Sequence, residues 1–333
     1  MPEESNNLNL LRTIAVLSVF VAHILPPSTT ALNLGHAGVL LFFVHTSNVL
    51  MRSLRRRGDS WAQFMIRRCF RIYPLAIVAV LLYELLAIGN VGPQGPASAT
   101  TLLADATLTQ NLFHAISIPA VLWSLPYEIQ MYLLLPAIFY FVSRRRYSGV
   151  DIIATWTSIF FVFTVGVLLL PISVVNLIRF VPCFLAGVMA FALPDRRYLP
   201  PVFLPALLLL GLVAYAFVSD FLFSAWLLCC LTGLGLPLVR EFSARPVASS
   251  CAFIAKYSYG IYLFHSIFMA LLLHRLGTPV GAVSAFALTV LGSYLAFHLL
   301  ERRLTVLGGR ISDAYFGSKF SPIETVPFLA RRD

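Results

Sequence analysis

Charge is scarce in this chain, and acidic charge scarcest: 11% of its 333 residues are charged, with 14 Asp and Glu against 24 Lys and Arg. So thin a charged complement excludes an ordinary soluble domain. The five cysteines, Cys69, Cys183, Cys229, Cys230 and Cys251, have no paired metal-ligand spacing and fall mostly in or beside apolar segments. They are read as packing residues, and neither a disulfide framework nor a metal site is expected. The first apolar segment has acidic residues before it (Pro2-Glu3-Glu4), Pro26-Pro27 after it and no small-residue cleavage site, so it reads as a retained span and not a signal peptide. No internal repeat and no matched pair of interrupted helices stands out.

What is present is hydrophobic length. Apolar residues make up 59% of the chain, and mean hydropathy is +0.85. They fall into about ten blocks of membrane-spanning size: Leu8 to Leu25, Gly38 to Met51 (starting nearer Leu34), Ile72 to Ile88, Val121 to Val142, Val150 to Leu170, Val174 to Leu193, Val202 to Val218, Phe221 to Val239, Tyr257 to Leu273 and Val280 to Leu300. The expected fold is all-α, a polytopic membrane protein of about ten transmembrane helices embedded in the lipid bilayer.

The net charge of +10 is topological. With the N-terminus in the cytoplasm, 21 of the 24 Lys and Arg fall on the cytoplasmic side, including the loop from Arg52 to Arg71, Arg144 to Arg146 and the run from Arg302 onward. Arg275 alone lies outside, while Arg12 and Arg179 sit within spans. That asymmetry follows the positive-inside rule, predicts both termini in the cytoplasm and removes nucleic acid as the explanation of the charge.

Against this apolar background a few ionisable residues stand out. Arg12 and His23 are eleven positions apart in the first span, which places them within about 20° on one helix face and about 16 Å apart along it. Ionisable groups at membrane depth face the bundle interior or a watered cavity and mark a pathway or reaction site. His45, in the second span, has either a direct role or a buried one held by a carbonyl or hydroxyl. Arg68 and Arg71 share a face if the third helix begins there, and their forked donors suit phosphate. The outer segment Gly89 to Ala120 has no Lys or Arg; Asn90 to Ala99 should be irregular, and Thr100 to Ala115 a short surface helix able to cover a site.

Pro126 suits a first helical turn, so the fourth span starts there with Glu128 near its positive end and Tyr132 and Leu135 on the same face. Arg179, at similar outer depth, invites an ion pair with Glu128. In the ninth span Ser258, Tyr262 and His265 share a face, with His265 near mid-membrane and either site or core in role. Glu301, closing the tenth span, is a candidate partner for an arginine of the first inner loop.

Taken together, Arg12 with His23, the Phe42-Phe43-Val44 block, Arg68 and Arg71 followed by Ile72-Tyr73-Pro74, Trp123-Ser124-Leu125 with Glu128, and Tyr257 to Leu263 with His265 resemble the acyltransferase 3 family of integral membrane acyltransferases. The resemblance runs over residues 8–304 and leaves 305–333 as a short cytoplasmic tail. Thr46-Ser47 stands where many members carry Ser-Gly, and Tyr127 where they carry Val or Phe.

The resemblance implies a bacterial inner-membrane enzyme of the stand-alone form, without an appended esterase-like domain. It would move an acyl group, acetyl by default, from cytoplasmic acyl-CoA as co-substrate to a hydroxyl of an extracytoplasmic carbohydrate. Arg68 and Arg71 match the inner pair that holds the donor. His23 takes the hydroxyl proton as general base; Arg12 lines the acyl route or orients the donor; Glu128, with Arg179, shapes the acceptor site or orients His23. Trp123, Ser124, His45, Tyr262 and His265 are the remaining substrate-site candidates. No activated nucleophile has a recognisable pattern, which favours direct transfer. The rival reading is a secondary transporter or flippase that uses the same buried ionisable residues.

Overall fold

The computed structural model describes residues 5–89, 96–143, 149–217 and 221–317. The Arg144 to Arg146 cluster, most of the Gly- and Pro-rich run after Gly89, the leading Glu3 and Glu4, the side chain of Arg275, and Lys319, Arg331 and Arg332 lie outside these residues. Among the described residues the chain is helical, with no β-structure beyond a single bridge between Leu199 and Val239.

Thirteen α-helices follow one another: α1 (Asn6–Ile24), α2 (Thr29–Arg57), α3 (Trp61–Ile88), α4 (Ala99–Thr107), α5 (Leu125–Ser143), α6 (Gly149–Leu169), α7 (Ile172–Ile178), α8 (Val181–Ala192), α9 (Phe203–Ala216), α10 (Phe221–Gly235), α11 (Arg245–Leu276), α12 (Thr278–Ala296) and α13 (Arg302–Phe316). Among the described residues each of the ten apolar blocks is mainly helical. By length and composition, however, seven stretches of the described residues are able to cross a membrane; α9 and α10, at 14 and 15 residues, fall short of that length.

Several boundaries differ from the expected ones, each for a local reason. Ser28 caps α2 by accepting from the Ala31 amide, so the second helix starts at Thr29, more than one turn ahead of Leu34 and more than two ahead of Gly38. Ser60 and Gln63 form a capping box that starts α3 at Trp61. The expected basic loop therefore shrinks to residues 58–60, and Arg68 and Arg71 stand inside a helix. The surface helix α4 ends at Thr107, where Leu108 turns into the left-handed region (φ 54°), well before Ala115. The sixth block is interrupted: α7 stops at Ile178 and α8 restarts at Val181, with Pro182 in its first turn. Finally, a π-helical turn over Phe297–Glu301 links α12 to α13, and the chain stays helical across residue 304 to Phe316.

The centre of the molecule is a packing of α1, α2, α8 and α11. Small residues set the spacing. A Cβ at Gly38 would stand 2.6 Å from the Ala15 carbonyl, and one at Gly187 2.1 Å from the Val44 carbonyl, so α2 touches α1 and α8 backbone to backbone. Asn48 Nδ2 donates to the Gly187 carbonyl at 3.2 Å across that second contact. The start of α1 is fixed by Glu241, whose carboxylate accepts from the Asn7 amide at 3.0 Å and from Ser5, a favourable placement of negative charge at a helix N-terminus. Thr13 then donates to the Cys251 carbonyl at 3.1 Å, which ties α1 to α11. Cys183, Cys229 and Cys251 are buried and free, and Cys69 and Cys230 partly buried, consistent with packing. At the periphery, α6 exposes Val150, Ile153, Phe161, Val162, Leu168 and Leu169, an apolar surface that suits hydrocarbon.

Candidate active site

The polar residues singled out in the sequence divide between two places. The first is a cavity of about 890 Å³ that opens where α1 turns into α2, beside Leu25, Pro27 and Ser28. His23, His36, Trp123, Arg179 and Tyr262 line it, from α1, α2, the 3₁₀ turn Ala120–Ser124, the α7–α8 break and α11.

His23 is solvent-exposed within this wall. Its Nδ1 lies 2.8 Å from the Val19 carbonyl, an oxygen that can only accept, so Nδ1 carries the proton and the neutral ring has its lone pair on Nε2. The ring stands edge-on to His265, with centroids 4.7 Å apart. His265 is 1% exposed; its Nδ1 faces the Tyr262 carbonyl at 2.7 Å, and its Nε2 is buried with no hydrogen-bond partner. One turn away, the Tyr262 hydroxyl donates to the Val121 carbonyl and lies 2.9 Å from Ser124 Oγ. His23, His265, Tyr262 and Ser124 are thus brought together across α1, α11 and the turn before α5.

That turn is held from outside the bundle. Gln110 Nε2 donates to the Leu122 carbonyl at 3.1 Å, and Asp105, fully buried, accepts from the Ile118 amide at 2.9 Å. Burial pushes the Asp105 carboxyl up to about 7, and the Ile118 hydrogen bond opposes this only in part. The outer segment therefore positions Trp123, which stacks on His36 at 5.4 Å and packs against Phe180 at 5.6 Å. His36 in turn lies 2.7 Å from the Tyr215 hydroxyl. His36 lies within the second span, as expected from a start nearer Leu34, but no helix-face partner in the sequence marked it as a site residue.

The second place lies deeper and is closed. Arg12 Nε donates to Ser258 Oγ at 2.6 Å, so Arg12 and His23 both turn toward α11, as their spacing predicts. Glu128 accepts from the Tyr132 hydroxyl one turn on, with Thr46 beside the same carboxylate and Arg12 and Arg68 within electrostatic reach. His45 is buried, 2% exposed, with Nε2 lacking a hydrogen-bond partner and Arg12 in reach. Arg68 lies over the Phe64 ring at 5.7 Å. Arg71 pairs with Glu301 at 2.7 Å, the pairing anticipated for Glu301, and the π-helical turn carries that carboxylate. At the far end Arg67 bridges Asp59 (3.4 Å) and Asp313 of α13 (2.5 Å). Burial pushes the Asp59 carboxyl up, and Arg67 pulls against it.

Two expected contacts are absent among the described residues. Glu128 and Arg179 form no ion pair: Glu128 faces Arg12 and Arg68, whereas Arg179 stacks on Phe180 at 4.7 Å and lies over Tyr127 at 5.9 Å. Similar depth brought the two residues together on paper, but their side chains turn to different neighbours. Nor does Glu128 orient His23, which is held by its own helix through Val19. Neither Arg12 nor Glu128 lines the cavity.

The family model for the acyltransferase domain, Acyl_transf_3, matches residues 5–298, which include every residue described above except those of α13 and Glu301. The chain belongs to the acyltransferase 3 family. It is a membrane acyltransferase by that membership, and the outer cavity with the closed polar cluster beneath it is the candidate active site of the acyltransferase fold. Neither a curated protein nor a solved structure matches the chain.

Proposed function

We propose that the protein is an O-acyltransferase that moves an acyl group, acetyl in the first instance, from cytoplasmic acyl-CoA to a hydroxyl of an extracytoplasmic carbohydrate, in a bacterial inner membrane crossed ten times with both termini inside. The observation that carries this reading is the state of His23. With Nδ1 committed to Val19, the exposed ring in its neutral form has its lone pair on Nε2, at the wall of the outer cavity of about 890 Å³. A neutral imidazole with an open ring nitrogen is suited to take a hydroxyl proton.

The acceptor oxygen then attacks the thioester carbonyl. The new C–O bond forms, the C–S bond breaks, and the proton held on Nε2 passes to the departing thiolate. His265 and Tyr262 keep the His23 ring in place, while Trp123 offers a flat face to a sugar ring. Arg68 and Arg71 hold the phosphates of the donor at the other end, with Glu301 orienting Arg71. Arg12 and Glu128 lie between the two ends and position the acyl route without entering the cavity.

The helix interruption at Arg179 and Phe180 beside the cavity, like the buried ionisable residues, is a feature that a carrier would share. Purified protein in sealed liposomes separates the two. Labelled acyl-CoA on one side and glycan on the other give labelled glycan if the protein is an acyltransferase. Solute flux without consumption of acyl-CoA supports the carrier.

A further inference from the structure

Arg179 is unusual among the cations of this protein in where it points and what it lacks. It lines the cavity, yet no carboxylate does: none of the residues forming its wall is Asp or Glu. Among the described residues Arg179 forms no ion pair, and its buried Nε has no hydrogen-bond partner. Its backbone is pinned by the Trp226 indole, which donates to the Arg179 carbonyl at 2.7 Å. Its guanidinium carbon lies over the Phe180 ring at 4.7 Å and over the Tyr127 ring at 5.9 Å. An aromatic ring takes none of a guanidinium's N–H donors in conventional hydrogen bonds, which leaves them for a ligand.

A cation at membrane depth without an acidic partner is costly, and such residues mark a ligand pathway. A rigid fork of donors matches a carboxylate or phosphate through two parallel hydrogen bonds. The other polar groups of the wall, His23, His36 and Asn176, carry no negative charge that would oppose an anion. The volume, about 890 Å³, lies within the range of pockets that enclose a ligand of several rings.

We infer that the acceptor is an anionic carbohydrate, with a carboxylate or phosphate on or next to the acylated sugar, and that Arg179 binds this oxyanion and so sets which hydroxyl meets His23. This rests on the acyl-transfer reading above. A purely structural Arg179, serving only as the end of α7 and a stacking partner for Phe180, would leave the acceptor free to be neutral.

The test needs no prior choice of acceptor. Glycans and lipids are extracted from cells carrying the wild-type chain or the His23→Ala variant, separated by anion exchange and compared by mass spectrometry. Species acylated only in wild type are expected in the bound fraction, with an acid group on the acylated or an adjacent sugar. Acylated species found only in the neutral fraction would overturn the inference while leaving acyl transfer standing. If no species depends on the wild-type chain, the acyl-transfer reading itself falls, and this inference with it.

A second arm uses Arg179→Gln and Arg179→Lys. Acylation of the acidic species should drop about tenfold to a hundredfold in the glutamine variant, the size expected for a charge-assisted hydrogen bond, with partial retention in the lysine variant. If the glutamine variant is unstable, the lysine variant and the charge of the wild-type product still decide the question. Equal acylation in all three proteins, or a raised KM for acyl-CoA with an unchanged KM for the glycan, would assign Arg179 elsewhere.

Discussion

The two polar regions of this bundle are built from similar residues and finished in opposite ways. The outer cavity holds two histidines, an arginine and a tryptophan against open space; Nε of Arg179 has no hydrogen-bond partner there, and Nε2 of the buried His265 has none behind the wall. In the deeper region Arg12 is bonded to Ser258, Glu128 to Tyr132 and Arg71 to Glu301. Groups already bonded to one another fix helices. Groups left facing a cavity are available to a ligand. Residue type is shared by the two regions; what separates them is open space, since the closed region also keeps unpartnered atoms at His45 Nε2 and Arg68 Nε, but neither residue lines the cavity.

That contrast predicts which property each substitution damages. The largest effect is expected at His23: His23→Ala should lower the acyl-transfer rate about a hundredfold to ten-thousandfold, the contribution of a general base, with unchanged thermal stability in detergent. Turnover of labelled acyl-CoA in liposomes measures the first and thermal unfolding of the purified protein the second.

In the inner region the order reverses. Glu301→Ala leaves Arg71 without its carboxylate in a buried setting and should cost about 3–5 kcal/mol of stability, seen as a lower unfolding temperature and a smaller folded yield. A Glu301→Ala protein as stable as wild type would mean that the inner pair does not hold α3 against the turn preceding α13.

A smaller effect is expected where the helices meet. Gly38→Val drives side-chain atoms against the Ala15 carbonyl, and overpacking of this kind costs about 1–3 kcal/mol. Because α1 carries His23, a loss of rate should accompany the loss of stability, which separates this substitution from both of the preceding ones.

The smallest effect concerns pH. Asp105 has a folded-state pKa of about 7, raised by burial above its ordinary value of 3.8. The folded outer segment thus favours the protonated acid. That stabilisation is full below about pH 4, declines as pH rises and is gone once pH passes 7. Hydrogen exchange over residues 96–124 should accelerate across that window in wild type, and Asp105→Asn should remove the dependence. A flat profile in wild type would show that Asp105 does not govern the segment that carries Trp123.

Much of this arrangement was legible in the sequence. Hydropathy marked every apolar block, and helical periodicity alone put Arg12 and His23 on one face and Ser258, Tyr262 and His265 on another; in the structure those two faces meet. A pairing of Glu301 with an arginine of the first inner loop was legible too, because a lone carboxylate at a cation-rich boundary has few candidates; that the arginine is Arg71 came from the structure. What periodicity does not encode is which helices are neighbours. Glu128 and Arg179 share a depth, but the close contacts at Gly38 and Gly187 set α2 against α1 and α8, and Glu128 meets Thr46 and Tyr132 while Arg179 turns to the Phe180 and Tyr127 rings. His36 was missed because its partners, Trp123, Phe180 and Tyr215, come from distant parts of the chain that periodicity does not bring together.

The central claim, that proton transfer belongs to the open region while the closed one holds the helices and the donor, is tested most directly by measuring acyl transfer per folded molecule at saturating acyl-CoA for His23→Ala and Glu301→Gln side by side, with folded protein quantified by size-exclusion chromatography. The account predicts a His23→Ala protein that is folded and nearly inactive, and a Glu301→Gln population that is reduced in amount but retains most of its rate per molecule. A folded His23→Ala protein that transfers acyl groups at the wild-type rate would contradict it.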